Sequence, residues 1–149
     1  MNAKFLETLQ GDVASAQKKA PFSFGVVVFV KNEAGTIGRL IDQVLQTINR
    51  RDIFVMDGHS TDDTVAIIQQ KNVRLLSDNG KGKGAAIRFA ISEIDRDVLV
   101  LMDSDGSHQP KEIFSLLAPF ESDKDVAMVV GSPFKGGSED CSRSSQEGM

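Results

Sequence analysis

Residues 97–110 read DVLVLMDSDGSHQP, a short apolar run that ends abruptly in acidic and small polar residues. The six residues from Asp97 to Met102 predict a buried strand. Asp103 and Asp105 follow its end one residue apart, so their side chains should leave the sheet edge in the same direction. Two carboxylates in this position predict a site for Mg²⁺ or Mn²⁺, because these ions bind oxygen ligands and often complete their shell with water and substrate phosphates.

The spacing alone does not select this pair, because the chain contains three Asp-x-Asp triplets. The triplets at 95–97 and 123–125 precede apolar runs, a position typical of a solvated loop that enters a strand. The triplet at 103–105 follows a run and therefore lies at the carboxyl end of a strand. Ligands of open α/β sheets bind at the carboxyl ends, so position favours the middle triplet as the metal site.

The composition limits the classes of function that the chain can have. A chain of 149 residues, 40% of them hydrophobic, can bury the core of one domain. A net charge of −4 and a pI near 5.1 argue against a nucleic-acid partner, which requires clustered Lys and Arg.

The single cysteine, Cys141, cannot form an internal disulfide, and no secretory leader pattern is recognised. We therefore predict a cytoplasmic protein, and association with a membrane surface stays open. No apolar run is long enough for a transmembrane segment.

Apolar residues alternate between strand-like runs and helical spacing along the chain. An amphipathic helix is predicted over residues 1–20. Strands are then predicted at 24–30, 52–56, 73–76, 97–102 and 126–130. Helices are predicted between them, at 36–48, 60–70, 84–94 and 110–120. This order predicts an α/β fold with a Rossmann-like, mostly parallel sheet and helices on both faces. The core should span residues 21–132, and the polar tail at 133–149 should be loose.

Five motifs, taken in order, resemble the family 2 glycosyltransferases of the GT-A fold, and most closely the branch of dolichol-phosphate mannose or glucose synthases. The motifs lie within roughly residues 24–140, and their agreement in order makes the resemblance more specific than any one of them. They are Val27-Val28-Phe29-Val30-Lys31-Asn32-Glu33, Met56-Asp57-Gly58-His59-Ser60-Thr61-Asp62-Asp63-Thr64, Gly82-Lys83-Gly84-Ala85-Ala86, Asp103-Ser104-Asp105-Gly106-Ser107-His108-Gln109-Pro110 and Val130-Gly131-Ser132.

The resemblance implies a metal-dependent transfer of a hexose from a UDP- or GDP-sugar to a lipid phosphate, such as a polyprenyl phosphate, or to another acceptor. Glu33 and Asp57 would contact the nucleoside, with Asp57 accepting from a ring N–H of the base. Asp103 and Asp105 would hold Mg²⁺ or Mn²⁺, with Asp105 the firmer ligand. The positions implied for donor binding are Phe29, Lys31, Glu33, Asp57, Lys83, Asp103 and Ser104.

The chain also departs from the family pattern. Phe29 and Lys31 replace the usual proline and tyrosine, Ser107 replaces a glutamine that assists the metal, and Pro133 replaces an arginine. The family continues into an acceptor half with its catalytic base, so we expect this chain to lack that half and assign no catalytic residue.

Several alternatives stay open. The chain as a whole could be a non-catalytic module that binds a nucleotide-sugar or depends on a partner. Asp57 could instead hold a turn before Ser60. The segment 80–84 could be only a turn and helix start, and it does not match a P-loop. His59 and His108 are too few ligands to predict a zinc site.

Overall fold

The computed structural model describes residues 21–129, which fall into two compact units that meet between His108 and Gln109 in the sequence. The elements of the first unit are β1 (Phe24–Val30), α1 (Ile37–Leu45), β2 (Ile53–Asp57), α2 (Thr64–Gln70), β3 (Arg74–Ser77), α3 (Lys83–Glu93) and β4 (Val98–Asp103). In the second unit, a 3₁₀ turn at Pro110–Glu112 leads into α4 (Ile113–Ser122).

The four described strands form one parallel sheet in the order β3-β2-β1-β4. Val28 of β1 pairs with Val55 of β2 on one side and with Met102 of β4 on the other. Within the described residues, β3 and β4 are therefore the edges of the sheet. On β4, Leu101 is 38% exposed. These strands lie within one residue of the predicted positions, and the predicted parallel α/β sheet is confirmed.

Helices cover both faces of the sheet, as predicted. In β1, Val27 and Phe29 face one side, and the even-numbered valines face the other because side chains alternate along a strand. The side of Val27 is packed by α3, through Ala86 and Ala90. Parallel neighbours joined by right-handed crossovers place α1 and α2 on the opposite side. Those two helices touch, since a Cβ added to Gly38 would lie 3.3 Å from Cγ2 of Ile67.

The helices follow their apolar spacing more closely than their predicted bounds. In α1 a buried stripe recurs every three or four residues, at Ile37, Leu40, Ile41 and Val44. Helix α2 begins at Thr64, later than predicted, and its N-cap residue makes no side-chain capping bond. Its buried residues are Thr64 and Ile68, whereas Val65 and Ile67 are only half-buried. No helix within residues 21–129 is long and apolar enough to cross a bilayer.

The fifth strand predicted at 126–130 is wrong over its described part, because residues 126–129 have no strand pairing. The segment is entered through a turn: Asp125 N–H donates to Oδ1 of Asp123 at 3.0 Å, and Val126 N–H to the Asp123 carbonyl at 3.4 Å. An apolar run becomes a strand only where a neighbour accepts its backbone hydrogen bonds. Val130, the predicted helix at 1–20 and the tail at 133–149 lie outside the described residues.

Close packing in the sheet core yields a first prediction, at Gly25. A Cβ there would lie 3.0 Å from Cε2 of the buried Phe54 and 3.4 Å from Leu99 Cδ2. Gly25→Ala should therefore lower the free energy of unfolding by about 1–3 kcal/mol through overpacking. Gly35→Ala is the matched control, because a Cβ at Gly35 meets nothing within 4 Å. Urea unfolding of both variants measures the difference, and equal stabilities would contradict the packing of Phe54 against β1.

Candidate functional site

The candidate site lies where the parallel strands reach their carboxyl ends. The hydrogen-bond ladder continues one residue past the strands: Gly58 N–H donates to the Val30 carbonyl at 2.9 Å, and Asp78 N–H to the Asp57 carbonyl at 3.1 Å. The loops after β1, β2 and β3 thus leave the sheet side by side. This is the edge at which open α/β sheets bind ligands.

Asp57, the last residue of β2, is engaged by its own loop. Its side chain is buried, and the Ser60 hydroxyl donates to Oδ1 at 2.6 Å while the Ser60 N–H donates to Oδ2 at 3.1 Å. The same hydroxyl accepts the Asn32 N–H at 2.8 Å, and Asn32 Oδ1 accepts the Thr61 N–H at 2.7 Å. Asp57 therefore fastens the β2 loop to the β1 loop, and its contact with a nucleoside stays a prediction.

Glu33 belongs to a second set of bonds between the same two loops. Its N–H donates to Oγ1 of the buried Thr64 at 2.9 Å, and its carboxylate accepts the Thr36 hydroxyl at 2.9 Å. The Thr64 hydroxyl in turn donates to Asp62 at 2.5 Å, and this bond lowers the pKa of Asp62. The start of α2 and the turn before α1 are thereby held together.

Three of the predicted donor residues do come together on the α3 side of the sheet. Phe29 of β1 and Asp103 of β4 are register partners, and Lys83 forms an ion pair with Asp103. The Lys83 ammonium also lies 5.9 Å from the centre of the Phe29 ring. Both ion-pair partners are solvent-exposed, and such pairs contribute only about 0–1 kcal/mol. The lysine can therefore exchange its carboxylate partner for another anion at little cost.

Asp105 stands just beyond this group, after the buried Ser104. The hydroxyl and N–H of Ser107 both donate to its Oδ1, at 2.5 and 2.9 Å. These bonds, the hydroxyl first, lower the pKa of Asp105 and keep the exposed carboxylate ionised. Ser107, which replaces the glutamine of the family pattern, is thus a partner of Asp105. His108 Nδ1 accepts the N–H of Asp103 at 3.1 Å.

The carboxylate oxygens at this edge suit a hard divalent cation whose remaining coordination positions are filled by a bound substrate. In the described part of the chain, no three His, Cys, Asp or Glu side chains gather into a metal-binding group. Asp103 and Asp105 offer two carboxylates, and Mg²⁺ is commonly held by one or two carboxylates together with substrate phosphates. An all-protein cage is not the arrangement that these residues form.

The other two Asp-x-Asp triplets serve the fold. At the amino end of β4, Asp97 Oδ2 accepts the Ser23 N–H at 2.9 Å, and Asp97 N–H donates to the Ser23 hydroxyl at 3.0 Å. Asp123 accepts the N–H of Asp125 in the turn that follows α4. Neither pair lies at the carboxyl end of a described strand, which agrees with the positional argument for the middle triplet.

Asp78 is a residue of this edge that the sequence reasoning missed. It directly follows β3, and its side chain is 12% exposed. Oδ1 of Asp78 accepts the Gly80 N–H at 2.8 Å and lies 3.3 Å from Nε2 of His59, which also contacts the Asp78 carbonyl at 2.9 Å. A slightly wider criterion than the one applied to Asp103, a carboxylate within two residues of the end of an apolar run, would have found it. Asp78 was overlooked because it has no Asp-x-Asp partner and adjoins the glycine-rich loop.

Comparison with known proteins agrees with this geometry. Residues 25–147 match the family model described as Glycosyl transferase family 2, so the chain belongs to that family. Protein RfbJ of Shigella flexneri is 25% identical over 122 residues, which cover 82% of this chain and 94% of that protein. The glycosyltransferase AglJ of Haloferax volcanii is 29% identical over 104 residues, covering 69% of this chain but only 33% of that protein.

Solved structures give the same picture. Glucosyl-3-phosphoglycerate synthase of Mycobacterium tuberculosis in complex with UDP superposes with a TM-score of 0.64 at 24% identity, over 78% of this chain and 45% of that one. The complex of that synthase with Mn²⁺, UDP-glucose and phosphoglyceric acid has a TM-score of 0.62 at 25% identity, over 75% of this chain and 43% of the synthase. The chain thus spans less than half the length of these solved relatives. The GT-A fold predicted from the motifs is confirmed.

The bonds at Thr64 yield a prediction about the loops that frame the site. Thr64→Val keeps the shape of this buried side chain but removes the acceptor of the Glu33 N–H and the donor to Asp62, so the free energy of unfolding should fall by about 1–3 kcal/mol. Thr61→Val, at an exposed position, should change it by less than about 0.5 kcal/mol. Chemical denaturation measures both losses of stability, and equal losses would contradict the role assigned to the Thr64 hydrogen bonds.

The same set of bonds predicts a pH dependence. The pKa of Asp62 is lowered from its ordinary value of 3.8 by the Thr64 hydroxyl, so its contribution to stability is present above that value and is lost as the pH falls through the lowered pKa. The stability difference between the wild type and Asp62→Asn should therefore shrink below about pH 4. Unfolding measured from pH 3 to pH 7 tests this, and a constant difference would refute it.

Proposed function

We propose that this chain is the donor-binding half of a metal-dependent glycosyltransferase that takes a hexose from a UDP- or GDP-sugar. The observation that carries the proposal is the grouping of Lys83, Asp103 and Phe29 beside Asp105 at the carboxyl edge of the sheet. Family membership supports it, as does a solved relative that binds Mn²⁺ and UDP-glucose. A nucleotide-sugar-binding module without catalytic activity is the alternative.

The chain's own residues account for donor binding. The carboxylates of Asp105 and Asp103 would hold Mg²⁺ or Mn²⁺. Asp105 would be the firmer ligand, as the family resemblance implies, and in the ligand-free protein Asp103 is paired with Lys83. When bound, such an ion supplies Lewis-acid neutralisation of the leaving nucleoside diphosphate. Lys83 can turn from Asp103 to a diphosphate oxygen, since its exposed ion pair holds it weakly. The Phe29 ring lies beside the lysine ammonium, where a cation–π attraction can hold it.

The donor-binding residues do not determine the acceptor. The curated relatives include the beta-monoglucosyldiacylglycerol synthase of Synechocystis, and the solved relative was crystallised with phosphoglyceric acid. A lipid phosphate such as polyprenyl phosphate stays our proposal for this chain. A transfer assay that supplies polyprenyl phosphate and phosphoglyceric acid in separate reactions distinguishes the two chemistries.

The metal site gives a direct test. Nucleoside-diphosphate binding, followed by calorimetry with and without Mn²⁺, should be stronger with the ion. Asp105→Ala should remove that gain, raising the dissociation constant in Mn²⁺ by at least about ten-fold, since even outer-shell changes cost 10–100-fold in metal affinity. Asp123→Ala and Asp95→Ala are matched controls from the other triplets. Equal losses in all three variants would show that strand-end position was the wrong criterion.

Catalysis is tested separately from binding. We expect the 149-residue chain to transfer sugar very slowly or not at all, because chemistry is lost steeply when acceptor and donor are not positioned together. The assay supplies labelled UDP-glucose or GDP-mannose, Mn²⁺ and each acceptor. Rapid turnover that Asp105→Ala abolishes would contradict this expectation. Metal-dependent binding without turnover would agree with it and with the non-catalytic alternative.

A further inference from the structure

Side-chain alternation separates Asp57 from Phe29, Lys83 and Asp103. In β2, Met56 packs with Phe54 and Val27 on the α3 side of the sheet. Its neighbour Asp57 therefore faces the opposite side, where its carboxylate is held by Ser60. Lys83 and Asp103 lie on the α3 side, with Phe29. A nucleotide whose diphosphate contacts Lys83 would not naturally present its base to Asp57.

The residues one step past the strand ends lie on the α3 side instead. Lys31, Gly58 and Asp78 follow β1, β2 and β3, and the two ladder bonds keep them in line across the sheet. Gly58, in the middle, has no side chain. A Cβ added there would lie 3.5 Å from Asp78 Oδ2 and 3.6 Å from Lys31 Cβ. The three residues thus form a slot, with Gly58 as its floor and Lys31 and Asp78 as its walls.

Asp78 is set to act as the polar wall of this slot. The contacts that Gly80 and His59 make with its carboxylate reach Oδ1, whereas Oδ2 lies on the side of Gly58. His59 is held in a left-handed conformation, with φ of 63°, at the position from which its ring contacts Asp78. Backbone conformations of this kind are uncommon for residues other than glycine. His59 therefore acts as a positioning residue for Asp78.

The slot and the cation group are spaced for one ligand. Asp78 follows the outer strand β3, and Asp103 ends β4 at the other side of the sheet. Three inter-strand steps separate them, about 14 Å at the usual strand spacing. An extended nucleoside diphosphate can span that distance, with its base in the slot and its phosphates at Lys83.

We propose that Asp78, and not Asp57, recognises the nucleotide base, and that the slot over Gly58 selects bases with a ring N–H. This inference rests on the proposed function. A carboxylate only accepts hydrogen bonds, so it pairs with N3–H of uracil or N1–H of guanine. The corresponding ring nitrogens of cytosine and adenine carry lone pairs and would repel it. The slot therefore favours UDP and GDP over CDP and ADP.

Calorimetry with Mn²⁺ and UDP, GDP, CDP, ADP or inorganic pyrophosphate tests this inference. The wild type should bind UDP or GDP at least about ten-fold more tightly than CDP and ADP. Asp78→Asn should weaken binding of the preferred nucleotide by about 10–100-fold and erase the preference, because a charged hydrogen-bond partner is lost. Pyrophosphate binding should be unchanged. Asp95→Asn, at an exposed position before β4, is the matched control.

Two further variants separate recognition from folding. Gly58→Ala places a methyl group on the floor of the slot at ordinary contact distances, so it should fold, weaken nucleotide binding and spare pyrophosphate. Asp57→Asn should keep the base preference. Thermal unfolding verifies that each variant is folded.

The outcomes distinguish the two proposals. If the wild type binds no nucleotide, the proposed function fails and this inference fails with it. If it binds nucleotides with Mn²⁺ but shows no base preference, or keeps that preference in Asp78→Asn, only the role of Asp78 is overturned. Loss of the preference in Asp57→Asn, with Asp78→Asn unaffected, would return base recognition to Asp57.

Discussion

The structure depends on β1 being hydrogen-bonded in parallel to strands on both sides. Such a strand must be apolar on both faces, and the valines at 26, 27 and 28 are fully buried. Parallel pairing also requires every connection to cross over the sheet, so each strand delivers its following loop to the same edge. The residues of the candidate site are far apart in the sequence, yet parallel pairing brings them to the same edge of the sheet. Their common location follows from the parallel direction of the strands.

Side-chain alternation then sorts the polar residues at that edge. Asp57 ends its strand on the side of α1 and α2, where it is buried and binds Ser60. Asp103 ends its strand on the side of α3, where it meets Lys83. These two aspartates stand in similar sequence contexts, but their positions in the sheet differ by one residue of register. Their side chains therefore face opposite sides of the sheet. Asp57 joins two loops, whereas Asp103 pairs with Lys83.

The sequence predicted those features that follow from periodicity and order. The strands, the parallel sheet and the choice of 103–105 over the other triplets all follow from apolar runs and from what comes before or after them. The fifth strand at 126–130 failed over its described part because an apolar run says nothing about whether a pairing neighbour is available. The side of the sheet faced by Asp57 and the side-chain contacts of Asp78 could not be predicted. Both depend on strand ends being fixed to the residue, and three of the predicted strands were off by one.

The exposed edge of β4 has a consequence for how the chain behaves in solution. Among the described residues, no strand pairs with the outer side of β4, and the run from Val98 to Met102 contains no charge, Pro or Gly. Natural sheets usually protect such edges with lysines, prolines or bulges, as Arg74 does at the start of β3. An unprotected apolar edge is a template for adding another strand. Concentrated samples should therefore be prone to edge-to-edge association unless another segment or chain covers β4.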